Sequence, residues 1–510
     1  MPKLKKAVSL LFALIMSLTM LSQTVFADEP YEGYTFDWWL DALPSQNGYV
    51  ANKAVRGSDI EGCGAFNAPQ DMFVSTDNKF YVADTGNSRI VILDENLNYL
   101  SQIKEVKLKD GTASAIKEPQ GVYVNEDNEI FISDTGNQRV LCCKEDLTAF
   151  AILTKPDAAS YTAEHFKPQK IIADAADNVY IIDSSVTQGS LLYTYDRVID
   201  TVDFKGYYGA NRVQTTATVL KNKIFSLFLT REQMTKRARS VPAIITNFDI
   251  DNDGFIYTVT SSKTQEKDIL KKLNPAGTNI FVNKGYSDYT FGNRKPRYYQ
   301  GTNYISTISD VDVGTNGIIT LLDNTTKKIF QYDEECDLLF VFGGEGNQVG
   351  TFINPVAIET LGQNIYVLDA TKNNITKFER TEFGNYVLSA VELYLKGMYD
   401  EALEPWNEVL RRDGNYRFAY VGIGKAYLNM GEYDQAMKYF KRTNWSGYNK
   451  AFKYYRRDFI RDHFTEIAIG LLVLVIGAAV LNKILKKRKK KRELEFDKAD
   501  ILKNTKKEGV

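Results

Sequence analysis

Apolar and polar residues alternate in short runs through residues 61–382, and the runs are broken by Asp, Asn and Gly. One apolar run precedes Thr76-Asp77-Asn78 and a second follows it, and the same arrangement surrounds Glu126-Asp127-Asn128. Period-two alternation around residues that tolerate turn conformations predicts β-hairpins. The hairpins recur. Pro69 to Asp84, Pro119 to Asp134 and Pro168 to Asp183 are each a step of fifteen residues, with Asp177-Asn178 in the third turn. Tyr81–Ile90 (YVADTGNSRI) and Phe131–Val140 (FISDTGNQRV) are nearly the same phrase. Weaker copies follow at Asp253-Gly254 with Phe255–Val259, at Asn316-Gly317 with Ile318–Asp323, and from Pro355 through Asn364–Asp369. In the fourth copy Thr260 stands where the others have Asp. Six units of short strands predict a mainly β fold, a six-bladed β-propeller, which closes radially and leaves only short edges.

After Phe383 the apolar period becomes helical. Gly397–Ala402 recurs as Gly431–Ala436 at an offset of thirty-four residues, and Trp406 maps on Phe440 by the same shift. Further on, Ile467–Leu481 is apolar, and Phe464–Leu485 gives twenty-two residues with few polar breaks, long enough to cross a bilayer. Lys483 and Lys486–Arg492 follow it, which by the positive-inside rule places the tail in the cytoplasm. At the N-terminus Lys3, Lys5 and Lys6 precede the apolar stretch Ala7–Leu21 and then Val25-Phe26-Ala27, a secretory signal pattern.

The segments Pro69–Ile90 and Pro119–Val140 resemble the NHL repeat family. That resemblance implies six blades around a central channel and closure of the ring by an N-terminal strand, for which Tyr49–Val55 is the candidate. The helical segment resembles the tetratricopeptide repeat (TPR) family, with Tyr420, Ile423, Gly424, Tyr427, Gly431, Tyr433, Ala436 and Phe440 at that family's spacing. Two such repeats serve either as a peptide-docking groove or as a spacer, and Trp445–Arg457 is expected to form a further amphipathic helix that either caps the stack or lies near the bilayer.

Composition narrows the chemistry. The formal net charge is −1, so no general attraction for nucleic acid is expected. The basic cluster at 483–492 suits anionic lipid heads instead. Four cysteines are too few for a disulfide framework and are expected to pack; Cys142 and Cys143 alternate faces of one strand, so at most one should be buried. His165 and His463 are the only histidines, which makes a multi-histidine metal site or a Ser–His triad hard to build. This puts in doubt the zinc-dependent lyase activity seen among NHL-like enzymes. A calcium-dependent lactonase of the gluconolactonase type, which needs carboxylates and amides, remains the alternative.

Asp84, Asn87 and Arg89, with Asp134, Asn137 and Arg139, suggest a catalytic set, yet repetition favours blade corners in which Asp and Asn hold the turn and Arg bridges to a neighbouring blade. Asp249, Asp251 and Asp253 open like a calcium loop, but Thr260 stands where such a loop needs Glu. Gln70, Gln120 and Gln169 begin three innermost strands and would ring one channel mouth, where they can hydrogen-bond a polar ligand. Two insertions, 205–239 and 263–306, interrupt the ring, and the second carries Tyr286, Tyr289, Arg294, Arg297, Tyr298 and Tyr299, a set suited to stacking on sugar or protein.

The expected order is a signal peptide (1–27), an N-terminal segment with the closing strand (28–60), the propeller (61–382), two TPR-like repeats (385–447), a juxtamembrane segment (448–463), a transmembrane helix (464–485) and a basic cytoplasmic tail (486–510). The expected function is a single-pass, membrane-anchored extracytoplasmic binding or scaffold protein rather than an enzyme. No cofactor is expected unless calcium occupies the acidic loop. Expected partners are another envelope or membrane protein or an extracellular glycan, with membrane lipid engaged through 464–492.

Overall fold

The computed structural model describes residues 29–37, 41–187, 189–210, 244–260, 269–281, 291–293 and 306–505. The signal pattern at 1–27, and Tyr286, Tyr289, Arg294, Arg297, Tyr298 and Tyr299, lie outside the described residues.

The hairpins assemble into six antiparallel blades; the first five run in chain order from the channel outward, and the sixth does so through its first three strands. Blade one begins with Asp71–Val74, blade two with Gly121–Val124, blade three with Pro168–Ala173, blade four with Ile245–Ile250, blade five with Ile308–Val313 and blade six with Pro355–Leu361. The outermost strand of blade six is Tyr49–Arg56, paired antiparallel with Asn374–Arg380, so the two ends of the ring are held by backbone hydrogen bonds. Closure removes the one open seam at which the ring would otherwise expose its core.

Core residues lie between blades rather than in one central mass. Met72, Phe80 and Val91 of blade one pack with Ala357, Tyr366 and Ile375 of blade six. Ala83 and Ile90 pack with Val122, Ile132 and Cys143 of blade two. Each sheet is therefore covered on both faces, and this explains why Cys142 and Cys143 are both buried, contrary to the expectation of at most one. All four cysteines are free and buried, and burial pushes the Cys143 thiol up to about 12.

Two segments expected to be insertions contribute to the ring. Lys205–Tyr208 belongs to the outer strand Thr201–Tyr208 of blade three. Leu270–Leu273 is the third strand of blade four, and buried Phe291 sits edge-on to Tyr332 of blade five at 5.3 Å. The strand is four residues long and holds two lysines, which hid its period-two signal.

Six helices follow: α1 (Glu382–Leu395), α2 (Leu403–Arg412), α3 (Arg417–Met430), α4 (Tyr433–Phe440), α5 (Trp445–Asp462) and α6 (Phe464–Thr505). The chain divides into two compact units, one of residues 1–397 with 404–419, the other of 398–403 with 420–510. Helices α1 and α2 thus belong to the propeller's own unit. Phe383 meets Phe340 and Tyr416, and the Tyr416 hydroxyl donates to the Leu339 carbonyl of blade five at 2.8 Å. Thr381 caps α1 by accepting from Gly384 N–H at 3.0 Å. In the second unit Phe440 fills the space over Gly424 and Gly447, where a Cβ would stand 2.6 and 2.8 Å from its ring. Helix α6 is long and apolar enough to span a membrane, and its apolar side chains from Phe464 to Leu485 are exposed.

Candidate functional site

The repeated Asp-Thr-Gly-Asn phrase builds blade corners. Asp84 is fully buried, accepts from Asn67 N–H at 2.7 Å and pairs with Arg89 Nε at 2.7 Å and Asn87 Nδ2 at 2.8 Å. Asp134 repeats this with Lys117 N–H, Arg139 and Asn137. The arginines do not bridge to the next blade as expected. Arg89 turns back to the Cys63 carbonyl at 2.7 Å, and Arg139 to Ser114 Oγ at 2.9 Å. The bridge comes from the threonine of the phrase: Thr85 Oγ1 donates to the Pro119 carbonyl at 2.6 Å and Thr135 Oγ1 to the Pro168 carbonyl at 2.5 Å. The short Thr side chain sits at the contact, whereas Arg is drawn to the buried carboxylate beside it.

The corners fix the register of the innermost strands, and these strands line the channel. A bulge leaves one extra residue at the head of four of them, between Pro168 and Lys170, Ile245 and Asn247, Ile308 and Asp310, and Pro355 and Ala357. The extra residue, Gln169, Thr246, Ser309 or Val356, is re-aimed to the channel mouth. With Gln70, Gln120, Thr307 and Asn324 these residues line a cavity of about 220 Å³. The three candidate glutamines therefore meet at one mouth, and Gln169 Nε2 donates to Gln120 Oε1 at 3.0 Å. Gly121 makes room between them, since a Cβ there would lie 2.1 Å from the Gln169 carbonyl oxygen.

Beneath the mouth lie two tiers that sequence reasoning missed. The upper tier carries Asp71, Lys170, Asn247 and Asp310; Lys170 pairs with Asp71, and Asn247 Nδ2 donates to Asp310. The lower tier, two residues further along each strand, carries Phe73, Tyr123, Asp249, Asp312 and Glu359. A fixed spacing was the available signal: Asp71, Lys170, Asn247 and Asp310 each stand thirteen residues before the corner residue of their blade.

These carboxylates share a structural task. Each innermost strand is an edge, with N–H groups facing the channel and no strand to receive them. Val122 N–H donates to Asp71 at 2.9 Å, Val313 N–H to Asp249 at 2.7 Å, Ile358 N–H to Asp310 at 2.6 Å and Val74 N–H to Glu359 at 3.1 Å. Each carboxylate thereby ties its blade to the next, and Thr360 Oγ1 does the same to Asp312 at 2.5 Å. Burial raises the carboxyl pKa values: Asp310 is pushed up to about 8 and Asp312 to about 6. Asp249 and Glu359 are raised well above the ordinary range by burial and then by neighbouring carboxylates. Burial thus favours the protonated form of Asp249, Asp310 and Glu359, while Asp312 stays nearer the ordinary carboxylate range.

Asp249, Asp251 and Asp253 are not brought to one point. Asp249 faces the channel, whereas Asp251 holds the hairpin turn by accepting from Asp253 N–H at 3.1 Å and Phe255 N–H at 2.8 Å, and Asp253 is exposed. Among the described residues, the carboxylates whose oxygens gather closely enough for one cation are Asp333, Glu335 and Asp337, in the loop after Lys328–Tyr332. Neither histidine lines the mouth: His165 is exposed before blade three, and His463 separates α5 from α6.

Residues 117–143, the second corner and its hairpin, match the NHL repeat. The chain carries an NHL repeat. No curated protein matches it as a relative. Among solved structures it is similar to virginiamycin B lyase from Staphylococcus aureus, at 10% identity over 64% of this chain and 99% of that one, with a TM-score of 0.38. A putative gluconolactonase matches at 11% identity over 69% of this chain and 98% of that one, with a TM-score of 0.36. PorZ, a surface component of the type-IX secretion system of Porphyromonas gingivalis, matches at 13% identity over 62% of this chain and 46% of that one, with a TM-score of 0.37.

Proposed function

We propose that the chain is a single-pass, membrane-anchored recognition protein whose propeller stands outside the cell membrane, with its basic tail in the cytoplasm. The observation that carries this reading is α6, whose exposed apolar side chains run straight into Lys486–Arg492. An exposed apolar helix of that length needs lipid around it, and the cations that follow favour the cytoplasmic side. The helical pairs α1–α2 and α3–α4 are read as two TPR-like repeats, on the thirty-four-residue recurrence.

Recognition is assigned to the channel mouth. Its amides and hydroxyls both donate and accept, and Lys170, the cation among the described residues that line it, is neutralised by Asp71. Such a surface suits an uncharged polar group on an envelope protein or glycan. A calcium-dependent lactonase is less well supported, because the carboxylates of the channel hold inner-strand amides. Crosslinking in intact membranes followed by affinity capture tests the proposal. One dominant partner, lost in the Gln70→Ala/Gln120→Ala/Gln169→Ala variant, is expected; lactonase activity with stoichiometric calcium would overturn it.

A further inference from the structure

Helix α5 carries a row of aromatic rings that its own unit leaves open to solvent. Trp445, Phe452, Tyr455 and Phe459 are 53, 44, 37 and 47% exposed. Tyr448 completes the row and leans on the small core of Ala436, Phe440 and Ala451. Neighbouring rings meet in two groups, Trp445 to Tyr448 at 5.5 Å and Tyr448 to Phe452 at 6.4 Å, then Tyr455 to Phe459 at 6.3 Å. At 3.6 residues per turn they occupy an arc of about 80° along about 21 Å of helix. Ala451, just beyond Tyr455 on the helix circumference, is fully buried, and Tyr454, on the far side, meets Tyr433 at 5.8 Å.

Cations run from the edge of the row round to its far side, Arg456 nearest, then Lys453, then Lys450. Lys450, Lys453 and Arg456 are exposed and pair with no carboxylate among the described residues. Arg457 is held by Asp458 at 2.7 Å, and Arg461 by Asp462 at 3.1 Å. Immediately after α5, His463 leaves helical geometry at φ −110° and ψ 22°, and the apolar helix α6 starts at Phe464. An aromatic face with cations on the remaining, exposed side, one residue from a spanning helix, is the pattern of a helix lying in a bilayer interface.

We propose that α5 is an interfacial helix, bound to the membrane surface with its rings among the upper acyl chains and Lys450, Lys453 and Arg456 on anionic phospholipid headgroups. The break at His463 separates the interfacial helix from the spanning one. Continuity with α6 and charge complementarity select lipid over a protein partner. The inference rests on the reading of α6 as a membrane anchor.

The test uses the full chain in vesicles of phosphatidylglycerol and phosphatidylcholine whose acyl chains are brominated near the headgroup. Trp445→Phe supplies the background of the other tryptophans. Emission from Trp445 is expected to fall by about half, because an interfacial helix sinks about 5–10 Å into the headgroup boundary. The fall should shrink severalfold in pure phosphatidylcholine, and equally in Lys450→Glu/Lys453→Glu/Arg456→Glu, whose changes are all at exposed positions. Unquenched Trp445 in both lipids would overturn the proposal, as would quenching indifferent to headgroup charge and to the triple variant. Alkaline carbonate extraction separates the two readings: a chain that stays in the membrane with Trp445 unquenched refutes only the interfacial helix, whereas a chain that washes off refutes the anchor itself.

Discussion

Asp84 shows what one buried charge does in this ring. Its carboxylate is fully buried and collects a backbone amide, an amide side chain and a guanidinium, so its removal leaves Arg89 buried without its partner. Asp84→Ala is expected to destabilise the propeller by about 3–5 kcal/mol, read as a shift in urea midpoint. The channel carboxylates behave differently with pH. The Asp310 carboxyl is raised from 3.8 to about 8 by burial, so the folded protein keeps a proton that the unfolded chain releases near 4. Stability from this group is present below that lower value and is lost as pH rises through about 8, with Asp312 adding to the slope up to about 6. Urea midpoints measured at about pH 5 and about pH 8 should fall between the two, and Asp310→Asn should flatten the difference. The sequence showed the corner aspartates because the phrase repeats. It did not show the channel tier, because Asp71, Lys170, Asn247 and Asp310 differ in type and share only a spacing.

At the scale of the element, tolerance is set by how closely neighbouring strands approach. A Cβ on Gly121 would press on the Gln169 carbonyl oxygen, which is backbone and cannot swing aside. Gly121→Ala is therefore expected to cost about 1–3 kcal/mol, or to displace the two strands at the mouth and weaken partner capture. The closing strand carries more. Deletion of residues 29–56 leaves Asn374–Arg380 as an unpaired edge and uncovers the side chains around Phe378. Loss of a single cooperative thermal transition is expected, with binding of an apolar dye. The alternating pattern was enough to place the hairpins but not the short third strand of blade four, whose two lysines break the pattern while its neighbours bury it.

At the scale of the molecule, a compact ring with two docked helices precedes a second unit that ends in an exposed apolar helix. Truncation after residue 463 removes α6 but keeps α5, so the protein should become extractable from membranes by alkaline carbonate, with the propeller's thermal transition unchanged. Protease added to intact cells should remove the propeller and spare the 486–510 tail, whereas the reverse pattern would invert the proposed topology.

The sequence by itself determined the repeat, the switch from period two to helical spacing and the apolar span, because each is written in the order of neighbouring residues. Tertiary structure alone decided which face of each strand is buried, as at Cys142 and Cys143, where sheets stacked on both sides leave neither face to solvent. It also decided the partners of the inner edges. Val122, Val313, Ile358 and Val74 find their carboxylates on the adjoining blade, about fifty residues away or more and across the ring seam for Val74. Closing the ring brings those edges together, and the need of a buried N–H for an acceptor then selects what lies opposite.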